Sequence, residues 1–286
     1  MSEVRPGTRR WTVHRVEHAT STNDLLRTMA MAGAPSGTVV VARTQSAGRG
    51  RLGRTWASPP GGLWCSVLLE LPDVPSRLPL LVAVAAADAA RAVSGADVRV
   101  KWPNDLVLAG RKVGGILVEA LPPHAVVGIG LNVRVDLAAL PPEVRAEAGS
   151  LLPAGGSREA EASRRTGAYA PATAEGVDPD EVDEVVEAAL DRLLGALAQV
   201  HDAERAGRGD EVLARWRHLC VTLGQPVRVA TGREVVEGEA VDVDPAGALV
   251  VRTPGGVRRL VAGEVTQVRP GEGGHPGGVS PRSSHE

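Results

Sequence analysis

Apolar and polar positions alternate from Trp11 to Val16, which predicts a strand. Thr20-Ser21-Thr22-Asn23 then offers N-cap side chains for a helix from about Asp24 to Ala32. The β-branched run Thr38-Val39-Val40-Val41-Ala42 reads as a buried strand, Leu63 to Leu69 as another, and Leu78 to Val93 as a helix. Val98 to Lys101 leads into Trp102-Pro103-Asn104-Asp105, a loop, because Pro103 cannot sit in a central strand and Asn-Asp favours a turn. Leu106 to Leu108 and Val113 to Ala120 flank Ala109-Gly110 as a hairpin, and Ala125 to Leu131 is a further strand ending at Asn132. Mixed elements with adjacent hairpins predict an α+β fold, a mixed sheet with helices on one face. Helical patterning returns from Pro179 to about His201 and from Asp210 to Leu219, and Gln225 to Pro270 holds four or five short Val-rich strands of a small β-barrel.

The pattern divides the chain into a flexible N-terminus (1–10), a main domain (11–221), a small β-domain (222–270) and a tail (271–286). Within the main domain, 153–177 has no apolar period and is expected to be a disordered insertion. The tail of Gly, Pro, Ser and His carries the same expectation.

Composition adds less. With 286 residues, 43% hydrophobic and 23% charged, the chain is long enough to bury a core. A formal net charge of -2 gives no global attraction for nucleic acid or an anionic membrane, so anion binding must come from a local basic cluster. Cys65 and Cys220 lie far apart with no metal-ligand spacing, and read as buried thiols in a reducing compartment. The N-terminal stretch lacks the apolar core of a signal peptide, and the run from Leu78 to Val93 is broken by Asp88 and Arg91 and is shorter than the roughly 20 residues a bilayer needs. A cytoplasmic location follows. Aromatics are sparse, five Trp and one Tyr with no Phe, which makes each Trp informative.

The densest chemical signal is Arg43 to Trp56, with four arginines and, at Gly48, Gly50 and Gly53, three glycines. Guanidinium forks suit phosphate or carboxylate oxygens, and glycines let a backbone approach a ligand and move. Gly48-x-Gly50-x-x-Gly53 also fits a dinucleotide fingerprint, but the Ser58-Pro59-Pro60-Gly61-Gly62 that follows cannot start the required helix. An RGG-type nucleic-acid segment would need repetition, and only one copy stands between two strands. Lys101-Trp-Pro-Asn-Asp105 followed by Arg111-Lys112 is the second cluster; alone it is also a common turn beside a solvated lysine. Ser21-Thr22-Asn23 is the third, and a helix cap accounts for it by itself.

Together these segments resemble the biotin protein ligases. The matching pieces are Ser21-Thr22-Asn23, Gln45 to Trp56, Lys101 to Asp105, Arg111-Lys112 with Gly114 to Glu119, and Gly128 to Asn132, in that family's order. The resemblance implies a class II synthetase-like catalytic domain with an SH3-like C-terminal domain. It also implies that biotin and ATP, with Mg²⁺, form biotinyl-5′-AMP, whose biotin passes to a lysine of a biotin carboxyl carrier protein. Ser21, Thr22, Asn23, Gln45, Gly48, Arg49, Gly50, Arg51 and Lys112 correspond to the biotin side. Arg51, Arg54, Trp56, Asn104, Asp105 and Asn132 correspond to the adenylate side, with Arg51 and Lys112 at the reacting groups. Trp56 and Trp64 are candidate apolar walls. The Mg²⁺ ligands are not legible. About twenty residues precede Ser21, too few for the DNA-binding domain of some members, so no operator binding and no membrane contact is expected, in a monomer or weak homodimer. A lipoate or octanoate ligase or transferase of the same fold, and a biotin or nucleotide sensor without turnover, are the rival readings.

Overall fold

The computed structural model describes residues 11–153 and 178–267; the expectations for 1–10, 154–177 and 268–286 fall outside them. Seven strands form the main sheet: β1 (Thr12–Ala19), β2 (Thr38–Gln45), β3 (Leu63–Glu70), β4 (Arg99–Lys101), β5 (Asp105–Leu108), β6 (Arg111–Leu121) and β7 (His124–Leu131). Their order is β1-β2-β3-β7-β6-β5-β4. Only the β1–β2 pair is parallel, and α1 (Thr22–Met31) crosses between those two strands.

The two faces of this sheet differ. Along β3, Leu63, Cys65, Val67 and Leu69 enter the main core, with α2 (Leu78–Ser94), α4 (Pro179–Arg205) and α5 (Gly209–Leu219) packed over it. Each fully buried Leu or Val there contributes roughly 1.5–3 kcal/mol. The short α1 lies on the other face, where Leu26 meets Val40, Leu68 and Val126. A single-turn α3 (Pro142–Arg145) follows the sheet. The three longer helices thus share one face, and α1 alone covers part of the opposite one, leaving the rest free for a cavity.

Local sequence explains the boundaries. α2 ends at Gly95, whose φ of 69° is left-handed and strains any residue with a Cβ. α4 starts where the Asp178 side chain accepts a hydrogen bond from the Asp180 N–H, with Pro179 in the first turn. Strand β2 continues past Ala42 to Gln45, which carries that amide to the cavity.

The C-terminal strands β8 (Pro226–Ala230), β9 (Val235–Val243), β10 (Leu249–Thr253), β11 (Gly256–Leu260) and β12 (Glu264–Gln267) form a five-stranded antiparallel sheet in the order β11-β10-β9-β8-β12. It is tied to the main sheet at the 101–105 turn. The Trp102 indole N–H donates to the Gly247 carbonyl at 3.1 Å, and the Trp102 backbone N–H donates to Thr222 Oγ1 at 3.0 Å.

Candidate active site

The 21–23 segment opens α1, yet the Ser21 side chain makes no cap hydrogen bond. Ser21 does hold the N-cap position, but capping does not account for what these side chains bond to. Ser21, Thr22 and Asn23 are buried and border a cavity of about 190 Å³ on the α1 face of the sheet. The Thr22 N–H and hydroxyl both donate to Gln45 Oε1, at 2.8 and 3.2 Å, and Gln45 Nε2 donates to Ser58 Oγ at 2.8 Å. Ser66 Oγ sits 2.6 Å from Asn23 Oδ1 and 2.8 Å from Thr22 Oγ1. This end of the cavity is a preset net of uncharged donors and acceptors.

The arginine loop has its own turn. Gly50 N–H donates to the Arg54 carbonyl at 2.8 Å, Trp56 N–H to Gly48 at 2.7 Å, and Leu52 and Gly53 take φ values of 57° and 74°. Arg49, Arg51 and Arg54 border the cavity, whereas Arg43 leaves it to pair with Asp183 on α4 at 3.2 Å. Three of the four arginines therefore act together. Arg49 pairs with Asp24 at 3.1 Å and closely with Glu119; Arg54 pairs closely with Glu264 of β12. Arg51 Nη1 donates to Asn104 Oδ1 at 3.2 Å, and burial pulls its pKa below the usual arginine value, although a guanidinium stays charged at neutral pH.

Opposite the loop, Lys112 Nζ lies 2.6 Å from Asp105 Oδ1 and 5.3 Å from the Trp56 ring centroid. The Lys112 backbone is pinned by bonds to Glu147 and Gly149 at 2.8 and 2.7 Å. Asn104 Nδ2 donates to the Ile116 carbonyl at 2.7 Å, which fixes the turn against β6. Trp56 lies across Gly115 and Gly130, which face each other on β6 and β7; a Cβ on either would come within 2.8 Å of the ring. The glycines are what make room for the indole.

Three assignments fall elsewhere. Gly48 is buried outside the cavity, where a Cβ would strike the Trp56 carbonyl at 2.5 Å. Asn132 is also outside, its amide donating to the Gly149 carbonyl at 2.8 Å. Trp64 stands behind Trp56, 6.3 Å away edge to face, its N–H satisfied by the Pro59 carbonyl. It supports the wall and is not part of it. Among the described residues no cluster of three or more metal-ligating side chains occurs.

Residues 15–136 match the biotin/lipoate A/B protein ligase family and residues 222–266 the biotin protein ligase C terminal domain. The chain is 32% identical to biotin--[acetyl-CoA-carboxylase] ligase of Mycobacterium tuberculosis, over 87% of this chain and 86% of that one. The chain belongs to the biotin protein ligase family. Identity to the bifunctional ligase/repressor BirA of Bacillus subtilis is 28%, over 88% of this chain and 73% of that protein. The biotin protein ligase of Aquifex aeolicus, solved with biotin and ATP, superposes with a TM-score of 0.70 at 26% identity, covering 90% of this chain and 98% of that one.

In this biotin ligase the sequence pointed at most cavity residues and passed over those behind them. Ser66 carried no signal beyond strand alternation. Glu119 stood at the end of a matching segment without a role, though a carboxylate closing an apolar run deserves a partner. Glu264 pairs with Arg54 across 210 positions, which no local pattern can show.

Proposed function

We propose that the enzyme joins biotin to ATP as biotinyl-5′-AMP, releasing pyrophosphate, and then passes biotin to one lysine of a biotin carboxyl carrier protein. The observation that carries this reading is the two-ended cavity. Uncharged amides and hydroxyls of Thr22, Asn23 and Gln45 stand at one end, fixed cations Arg51 and Lys112 at the other, and the Trp56 indole between.

A ureido ring needs neutral donors and acceptors, and Thr22, Asn23 and Gln45 supply both. The biotin carboxylate must approach an α-phosphate of the same sign, so the first step depends on positive charge held at both groups. Lys112 and Arg51 take that role. A carboxylate oxygen bonds to the α-phosphorus as the bond to pyrophosphate breaks. In the second step a lysine amine of the carrier bonds to the acyl carbon, AMP leaves, and the amine proton passes to solvent. Asp105, already 2.6 Å from Lys112, keeps that ammonium oriented until the substrate carboxylate arrives. Arg54, Trp56 and Asn104 serve the nucleotide, with Asn132 and Gly48 shaping the walls from outside. Closure of the 48–54 loop shields the mixed anhydride from water. Mg²⁺ would enter with ATP and screen its phosphates; Asp105, Glu147 and Glu264 are the carboxylates that border the cavity and could help to hold it.

In this reading residues 11–221 form the catalytic unit and 222–270 the small domain of a cytoplasmic monomer or weak homodimer that binds neither DNA nor membrane. No helix among the described residues is long and apolar enough to cross a bilayer. Burial pushes the Cys65 thiol up to about 12, which disfavours a thiolate acyl carrier beside the cavity. Incubation with ATP, biotin and a carrier domain should raise the carrier's mass by one biotin. Saturable lipoate binding without biotin binding would overturn the reading in favour of a lipoate enzyme, and biotin binding without the mass gain in favour of a sensor.

A further inference from the structure

Glu119 lies on β6 behind the cavity, not among its walls, yet it joins two groups that do border it. Its Oε2 accepts the Asn23 Nδ2–H at 2.7 Å, and its Oε1 pairs closely with Arg49 while Arg27 stands 3.3 Å away. Asp24 holds the other nitrogen of the Arg49 fork at 3.1 Å. Asn23 is wedged on its other side: Ser66 Oγ is 2.6 Å from its Oδ1, and a Cβ on Gly128 would fall 2.3 Å from the same atom.

An ionised carboxylate only accepts hydrogen bonds. Facing Glu119, the Asn23 amide must therefore turn its NH₂ inward and its carbonyl oxygen toward Ser66 and the glycine floor of the cavity. We propose that Glu119 is a positioning residue that sets the polarity of Asn23, so that the biotin end presents an acceptor to a ligand N–H, and that anchors Arg49 over the same end. This rests on the reading of Asn23 and Arg49 as biotin-side residues. The carboxylate is kept charged: burial opposes ionisation, but the bonds from Asn23 and Arg49 and the nearby arginine charges outweigh it and lower its pKa. A neutral glutamine at 119 frees Asn23 to turn over and releases half of the Arg49 grip.

The test is isothermal titration with biotin and steady-state adenylation by Glu119→Gln, Asn23→Asp and the double variant, each shown folded by circular dichroism. Glu119→Gln should weaken biotin binding by about tenfold, the usual scale of one charge-assisted hydrogen bond, with the KM for ATP changed less than twofold. Asn23→Asp alone sets two carboxylates together and should lose more. The double variant restores the bond with donor and acceptor exchanged but not the Arg49 pairing, and should bind biotin at least about threefold more tightly than Asn23→Asp while staying below the parent. A purely structural role for Glu119 would not give that rescue. Unchanged biotin affinity in Glu119→Gln, equal losses for biotin and ATP, or no rescue in the double variant would overturn the proposal while the parent still binds biotin. A parent that binds no biotin would overturn the proposed function as well.

Discussion

Trp56 rests on two glycines, and replacing one of them tests how closely the adenylate end is built. In Gly130→Ala the new methyl falls 2.8 Å from Cε2 and Nε1 of the indole. Ordinary carbon contacts need about 3.5–4.0 Å, so the ring must lift by roughly 1 Å. Trp56 is half-buried and borders the cavity, so it lifts into empty space and the fold should lose no more than about 1–3 kcal/mol, the usual range for overpacking. The lifted ring changes its contact with Lys112, now 5.3 Å from its centroid, and intrudes where the nucleotide is to lie. A displacement of that size near reacting groups costs on the order of 100-fold in rate, or about 2.7 kcal/mol at 1.36 kcal/mol per decade. The assay is pyrophosphate release at saturating biotin with ATP varied, beside a thermal melt. Trp56→Leu on the Gly130→Ala background should remove most of the extra penalty, since the clash goes with the ring. If Gly130→Ala keeps kcat/KM for ATP within twofold of the parent, the indole does not define this end of the site.

Arg51→Gly removes a half-buried cation and its bond to Asn104, and should let the activated acyl group escape, seen as biotin on bystander lysines by peptide mass spectrometry; unchanged selectivity counts against a clamp at Arg51. Trp102→Phe deletes the indole bond to Gly247 and should cost about 1 kcal/mol in urea unfolding, with a raised KM for ATP because the 101–105 turn loses a support. Glu119 has a folded-state pKa below the usual carboxylate value of about 4.3, so its stabilisation is full above that pH and fades as the pH falls through the lower folded value. The melting-temperature gap between parent and Glu119→Gln should accordingly be present at pH 7 and close in acid; a gap constant with pH contradicts this. Both cysteines are buried with raised thiol pKa values, so a thiol reagent should label the native enzyme slowly and the urea-unfolded chain at once.

Strands and helices were legible where the apolar period was strong, as in Leu63 to Leu69 and Leu78 to Val93, whose starts coincide with the observed ones; other ends, such as those of β2 and α4, differ by up to four positions. The extension of β2 to Gln45 was invisible because Arg43 and Thr44 break the apolar run, and what holds them extended is pairing with β1. Ser21-Thr22-Asn23 was misleading for a physical reason: the side chains that cap helices are also the ones that line polar cavities, and only the third dimension separates the two uses. Arg43 was counted with the loop by proximity in sequence, but strand alternation turns it to the other face and Asp183. Glu119 and Glu264 stayed hidden because each acts through a partner far along the chain.

The tie between Trp102 and Gly247 spans 145 positions and that between Arg54 and Glu264 spans 210. Contacts of such long range form late, because the entropy of closing the loop must be met before the contact gives anything back. During vectorial synthesis the main sheet can assemble while the last strands are still inside the ribosome, but one side of the pocket does not yet exist. A nascent chain can thus have its fold without having its site, and the enzyme acquires a place to hold a reactive anhydride only once β12 has emerged.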